Sequence, residues 1–194
     1  MAAELLGTFL LTLAVSVSLV VPVGLPTPLV AGLTLLVLVY AIGSVSGAHV
    51  NPAVTVGLLS AGKIEPSAAL GYIIAQCVGA LLVAPFIALV GLAAPEVVVS
   101  DSLPVVLSEF AGAFVLVFAI ASVAFGRTSK EVSGLTIGGG LTVGAMIASG
   151  GSNAAINPAV ALGLGFINIS YMVAPLAGGI AAVLLYGWLI GAKK

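Results

Sequence analysis

Two copies of one tripeptide, Asn51-Pro52-Ala53 and Asn157-Pro158-Ala159, hold the residues whose types and spacing bear most directly on chemistry. Proline suits the first turn of a helix, where its missing N–H is no loss, and asparagine before it is a good N-cap, so both tripeptides read as helix starts. A capping asparagine still carries amide N–H donors. The N-terminus of a helix also carries about half a positive charge. Two such ends facing one another would repel a cation and offer hydrogen bonds to a neutral oxygen. By average residue usage, one chance copy in a chain this long is about a few-in-a-hundred event, and two in matching contexts are not chance. The other candidates are Glu4 and Glu109, ionisable groups inside apolar segments and therefore functional-site candidates, with His49 and Gln76 near them in the reading below. One histidine, one cysteine and scattered serines supply no set of nucleophile, base and orienting group, so neither an enzyme nor a cofactor is expected.

The stretches headed by the tripeptides, 52–59 and 158–165, each make about 12 Å of helix, so two end to end span about 24 Å of a hydrocarbon core about 30 Å thick. Non-helical backbone at membrane depth is tolerated only when buried in protein or lining a watery cavity. Half-helices meeting inside a bilayer therefore predict a pore or binding site. Composition puts the chain in the bilayer: of its 194 residues 61% are hydrophobic and 6% charged, with mean hydropathy +1.36, where a soluble domain carries about 25% charged residues. Its 25 glycines and 10 prolines suit closely packed transmembrane helices. The net charge of −1 offers no footprint for nucleic acid. Cys77 reads as a buried structural thiol, and the first apolar segment, lacking a basic leader, as a retained helix.

Six long apolar segments must position the tripeptides: 4–21, 29–44, 68–92, 105–125, 134–148 and 171–190, with half-spans after the second and the fifth. The expected fold is all-α, six transmembrane helices and two re-entrant half-helices in one channel domain, 1–194, made of repeats 1–92 and 105–194. Glu4-Leu5-Leu6-Gly7-Thr8-Phe9 aligns with Glu109-Phe110-Ala111-Gly112-Ala113-Phe114, and Gly32-Leu33-Thr34 with Gly140-Leu141-Thr142. From Glu4 to Asn51 is 47 positions and from Glu109 to Asn157 is 48, so register holds. Three spans per half invert the second copy. Lys63, Arg127, Lys130, Lys193 and Lys194 all fall on one side in this threading, which the positive-inside rule makes cytoplasmic, with both termini; Glu96 and Asp101 fall on the other. Faces rich in small residues, Gly71 to Gly79 and Gly178-Gly179, are expected at contacts between copies.

The chain resembles the aquaporins of the major intrinsic protein family. The likeness rests on Glu4 in Ala-Glu-Leu-Leu-Gly-Thr-Phe, on 46–55 with its first Asn-Pro-Ala, on Tyr72-Ile73-Ile74-Ala75-Gln76 and on the second Asn-Pro-Ala; it covers the entire chain, with short termini and outside loops. The resemblance implies a homotetramer in the cell membrane that passes water or small neutral solutes such as glycerol, ammonia or gases. It also implies that Asn51 and Asn157 donate to the permeant, and that Glu4 and Glu109 hold backbone groups of the re-entrant loops. Gln76 reads as a loop brace or a packing amide, and His49 as either a mouth residue or a loop hydrogen-bonding group. Tyr72, Tyr171, Tyr186 and Trp188 read as packing or interfacial anchors.

The departure from the family lies at the outer filter, where an aromatic residue, a histidine, a small residue and an arginine are usual. The corresponding positions here are Ala31, Ala145, Ala154 and Val160. All polar and bulky members are replaced, which predicts a wide, apolar outer vestibule selecting by size. Two rival readings stay open at this stage: a secondary transporter built on the same inverted repeat, and a structural membrane protein with a vestigial pore.

Overall fold

The apolar segments become helices because a chain in hydrocarbon must satisfy its own N–H and C=O groups, and only a helix does so within one segment. The structure, a computed structural model, describes residues 1–22 and 24–192. In chain order it forms α1 (Ala2–Val20), α2 (Thr27–Ser46), the half-helix α3 (Pro52–Ser60), α4 (Pro66–Leu81), α5 (Val83–Leu89), α6 (Leu103–Ala124), α7 (Ser133–Ala148), the half-helix α8 (Pro158–Gly163) and α9 (Ile169–Leu189). Among the described residues six spans are long and apolar enough to cross a membrane, α4 and α5 counting together as Pro66–Leu89. The third apolar segment is thus one span in two pieces. Pro85 cannot donate to residue 81 and its ring crowds that carbonyl, so the helix breaks at Leu82.

Six spans return the chain to the face on which it began. We call this the terminal face and the other the distal face. Lys63, Arg127 and Lys130 lie in connections at the terminal face, and Glu96 and Asp101 in the distal connection between α5 and α6. Lys193 and Lys194 lie outside the described residues.

An inverted repeat relates α1–α5 to α6–α9, and glycine crossings fix its register. At the α2–α7 crossing a Cβ on Gly32 would come within 2.5 Å of the Gly138 carbonyl oxygen, and a Cβ on Gly138 within 2.5 Å of that of Gly32; Gly32 also faces Thr142 while Gly138 faces Leu36. These contacts are two-fold mates only if Gly32 pairs with Gly138. The alignment of Gly32-Leu33-Thr34 with Gly140-Leu141-Thr142 is therefore two residues out of structural register. It matched residue types, whereas the backbone approach that only glycine permits selects Gly138. In the same way Gly79 faces the carbonyl of Leu5, and Gly178 that of Phe110. Gly79 and Gly178 are thus mates, and with them Tyr72 and Tyr171, and Gln76 and Pro175.

These crossings also correct the assignment of Gly79 and Gly178-Gly179 to contacts between copies. Gly178 and Gly179 lie against the backbone of Phe110 and Ala53 of the same chain. The outward surface carries large apolar side chains instead, among them Leu33, Val37, Leu70, Leu107, Leu135 and Trp188. Cys77 is half-buried on α4 rather than enclosed.

Candidate functional site

Each half-helix begins as its Asn-Pro-Ala start dictates. Asn51 Oδ1 accepts from the Ala53 N–H at 2.8 Å, and Asn157 Oδ1 from those of Ala159 and Val160 at 3.0 and 3.3 Å. Pro52 and Pro158 occupy the first helical position, and Ala53 and Ala159 are fully buried behind them. The amide nitrogens lace the halves together. Asn51 Nδ2 donates to the Ile156 carbonyl at 3.1 Å, and Asn157 Nδ2 to the Val50 carbonyl at 2.9 Å. One N–H of each amide is thereby engaged, leaving one donor per asparagine for a third party.

The loops leading into the half-helices are strained alike. Ala48 and Val50 have φ of 49° and 42°, and Ala154 and Ile156 have 54° and 40°. That region is unfavourable for any residue with a Cβ and most so for β-branched ones, at about 1–3 kcal/mol each. Buried glutamates hold the strain. Glu4 Oε1 accepts from Ser46 Oγ at 2.6 Å and the His49 N–H at 3.0 Å, and Oε2 from the Val50 N–H and Gln76 Nε2, both at 2.7 Å. Glu109 Oε1 accepts from Ser152 Oγ at 2.7 Å and the Ala155 N–H at 3.0 Å, and Oε2 from the Ile156 N–H at 2.6 Å. Both glutamates are fully buried.

The mates differ where Gln76 corresponds to Pro175. Gln76 also donates to Thr55 Oγ1 at 3.0 Å, which contacts His49 Nδ1 at 3.1 Å and donates to the Asn51 carbonyl at 3.1 Å. In the arrangement satisfying all three bonds, His49 donates through Nδ1 and keeps Nε2 as an acceptor. Pro175 offers Glu109 no donor at all. Tyr72 and Tyr171 do more than pack: Tyr72 Oη donates to the Ser46 carbonyl at 2.8 Å, and Tyr171 Oη accepts from the Asn153 N–H at 3.1 Å. The sequence reading missed Ser46, Ser152 and both tyrosines as braces. A signal existed, since each serine lies five residues before an Asn-Pro-Ala asparagine. Tyr186 packs between Phe118 and Phe125, and Trp188 is outward-facing.

Two cavities lie on opposite sides of the asparagines, and the distal one reaches Asn157. The distal one, about 300 Å³, is lined by Ala31, Ala145, Ala154, Val160 and Asn157, with Leu11, Leu141, Val97 and Phe166 among its other walls. The four positions expected at the outer filter thus share one cavity, and among the described residues no charged side chain lines it. Val97 comes from the distal connection, which Asn153 and Asn168 pin through the carbonyls of Val98 and Ser100, both at 2.9 Å. The terminal-face cavity, about 500 Å³, is lined by Val39, Ala48, Val54 and Ile137, with His49, Lys63 and Lys130 toward its mouth. His49 thus both lines the mouth and bonds the loop. Lys63 Nζ sits 4.1 Å from the Phe125 ring centroid, a cation–π contact.

Cavities on the two sides of paired amide donors at opposed helix ends, the distal one reaching Asn157, are the arrangement of a membrane channel for small molecules. A profile described as MIP, Major intrinsic protein, matches residues 1–186. The chain is 35% identical to Aquaporin NIP1-1 of Arabidopsis thaliana over 95% of its own length and 71% of that protein. It is 31% identical to Aquaporin Z of Bradyrhizobium diazoefficiens over 97% and 92% of the two chains. Its fold is similar to the X-ray structure of the aquaglyceroporin from Plasmodium falciparum, with TM-score 0.71 over 97% of this chain and 94% of that one at 22% identity. The chain belongs to the major intrinsic protein family. It is a multi-pass membrane channel for water and small solutes, and not an enzyme.

The braces make a stability prediction. Glu109→Gln replaces an acceptor oxygen with a donor among N–H donors, and should cost about 3 kcal/mol. Gln76→Ala leaves Glu4 its three loop donors and should cost about 1 kcal/mol. Denaturant titration of the two variants in detergent micelles measures the difference.

Proposed function

We propose that the chain is a passive channel for water and neutral solutes larger than water, glycerol among them, selecting by size at apolar walls and excluding ions at Asn51 and Asn157. The observation that carries this is the distal ring of Ala31, Ala145, Ala154 and Val160, which offers a permeant no side-chain hydrogen bond and no charge. A solute at this ring finds no donor or acceptor on the four side chains, so the ring itself discriminates poorly by polarity. At the centre each asparagine keeps one N–H for the permeant, between two positive helix ends. A water held by two donors cannot continue a proton chain. Glu4, Glu109, His49 and Gln76 serve the pore indirectly, by holding the strained loops.

In this reading the terminal face is cytoplasmic, because Lys63, Arg127 and Lys130 lie there, and the protein sits in the cell membrane. Four copies assemble, each with its own pore, through the large apolar side chains that face outward.

The decisive experiment is stopped-flow light scattering of proteoliposomes under water and glycerol gradients. The parent should pass both. The double variant Val160→Arg, Ala31→Phe adds donors, charge and bulk to the distal ring, and should lower glycerol flux about tenfold more than water flux. A parent that passes water quickly and excludes glycerol would overturn the proposal that solutes larger than water pass. Asn157→Asp sets a carboxylate between the opposed helix ends and should admit sodium or protons; an unchanged ion leak would show the central barrier to be misassigned. Light scattering of the purified protein should give the mass of four chains, and Lys63→Cys in a Cys77→Ser background should react with an impermeant maleimide only from the cytoplasmic side.

A further inference from the structure

The repeat register sets each distal ring position against a mate on the terminal side: Ala31 with Ile137, Ala145 with Val39, Ala154 with Ala48 and Val160 with Val54. Every one of these mates lines the terminal-face cavity, so the pore has two corresponding rings. They differ in bulk. The terminal-side ring carries an isoleucine and a valine where the distal ring has alanines.

The cavities end differently in the same sense. The distal cavity passes its ring and reaches Leu11, Leu141 and Asn157. The mates of these residues are Leu116, Leu35 and Asn51, and none of them lines the terminal-face cavity. The open space therefore stops at the terminal-side ring, while on the distal side it continues to the paired asparagines.

We propose that the size-selecting constriction lies on the terminal side of the asparagines, and that Ile137 and Val39 are its specificity-determining residues. The inference rests on the channel reading above and gives its size selection a location. The distal ring admits a solute as far as Asn157, and the terminal-side ring decides whether it leaves. Removing carbon there widens the narrowest place; adding carbon to the distal ring, up to the same side chains, brings it only level with a constriction that already exists.

The test compares erythritol, glycerol and water fluxes in proteoliposomes of the parent, Ile137→Ala, Val39→Ala, the milder Ile137→Val, and the double variant Ala31→Ile, Ala145→Val. One methylene in an apolar pocket discriminates by about tenfold, so Ile137→Ala, which removes three carbons, should raise the erythritol-to-water ratio by more than about tenfold. Val39→Ala should follow it, and Ile137→Val should fall between Ile137→Ala and the parent. The distal double variant should change the ratio less than about twofold. Because Ile137→Val removes a single methylene, it keeps the proposal testable should the alanine variants not fold. A parent that conducts, with a ratio that follows the distal ring and ignores Ile137, overturns this proposal alone. A parent that conducts nothing overturns the channel reading and this proposal together.

Discussion

The fold depends on a carboxylate oxygen meeting the amide of a residue held in the wrong half of conformational space. At the approach to each half-helix the chain leaves helical geometry inside the membrane, where an unpaired N–H costs several kcal/mol. Helical hydrogen bonding cannot serve these groups, and a neutral acceptor has too few lone pairs. Glu4 and Glu109 each have two oxygens with room for several donors. They take the N–H groups of His49 and Val50, and of Ala155 and Ile156, together with a serine hydroxyl each. The charge they bring into hydrocarbon is offset by those donors, and the strain at Val50 and Ile156 by the bonds it makes possible.

The repeat is symmetric where backbone is strained and free to drift where it is not. The positions with positive φ, both serines, both glutamates and both asparagines correspond pair by pair. Outside that frame the halves diverge: Gln76 corresponds to Pro175, Thr55 to Ala161, and Val39 to Ala145. The first loop is tied into a network of Glu4, Gln76, Thr55 and His49. The second relies on Glu109 and Tyr171, and leans on Asn153 and Asn168, which fasten the distal connection over it.

Much of this was legible in the sequence because membranes restrict the choices. Six apolar segments could be only six helices, and two Asn-Pro-Ala starts on stretches too short to span could be only half-helices. The four positions reached by counting from the asparagines, Ala31, Ala145, Ala154 and Val160, line one cavity. Other features were invisible for physical reasons. Residue types cannot report how closely two backbones pass, so Gly32 was matched to the wrong partner and Gly79 and Gly178 to the wrong neighbour. A tyrosine in an apolar helix looks the same whether its hydroxyl ends at the interface or on a loop carbonyl. The break at Leu82 was announced by Pro85 and overlooked, since Pro175 shows that proline need not end a span.

The lacing of the asparagines bears on how the chain is made. Asn51 finds its carbonyl at Ile156 and Asn157 at Val50, partners 105 and 107 positions away. A ribosome that has delivered the first three spans has delivered a re-entrant segment whose Asn51 amide caps Ala53 but whose N–H lacks its carbonyl at Ile156. The first loop finds its braces in Glu4 and Gln76 of its own repeat, but the bond from Asn51 Nδ2 to Ile156 can form only once the second half-helix arrives from the other face. The two lacing bonds therefore form together, and the second half of the chain completes the first loop as well as its own.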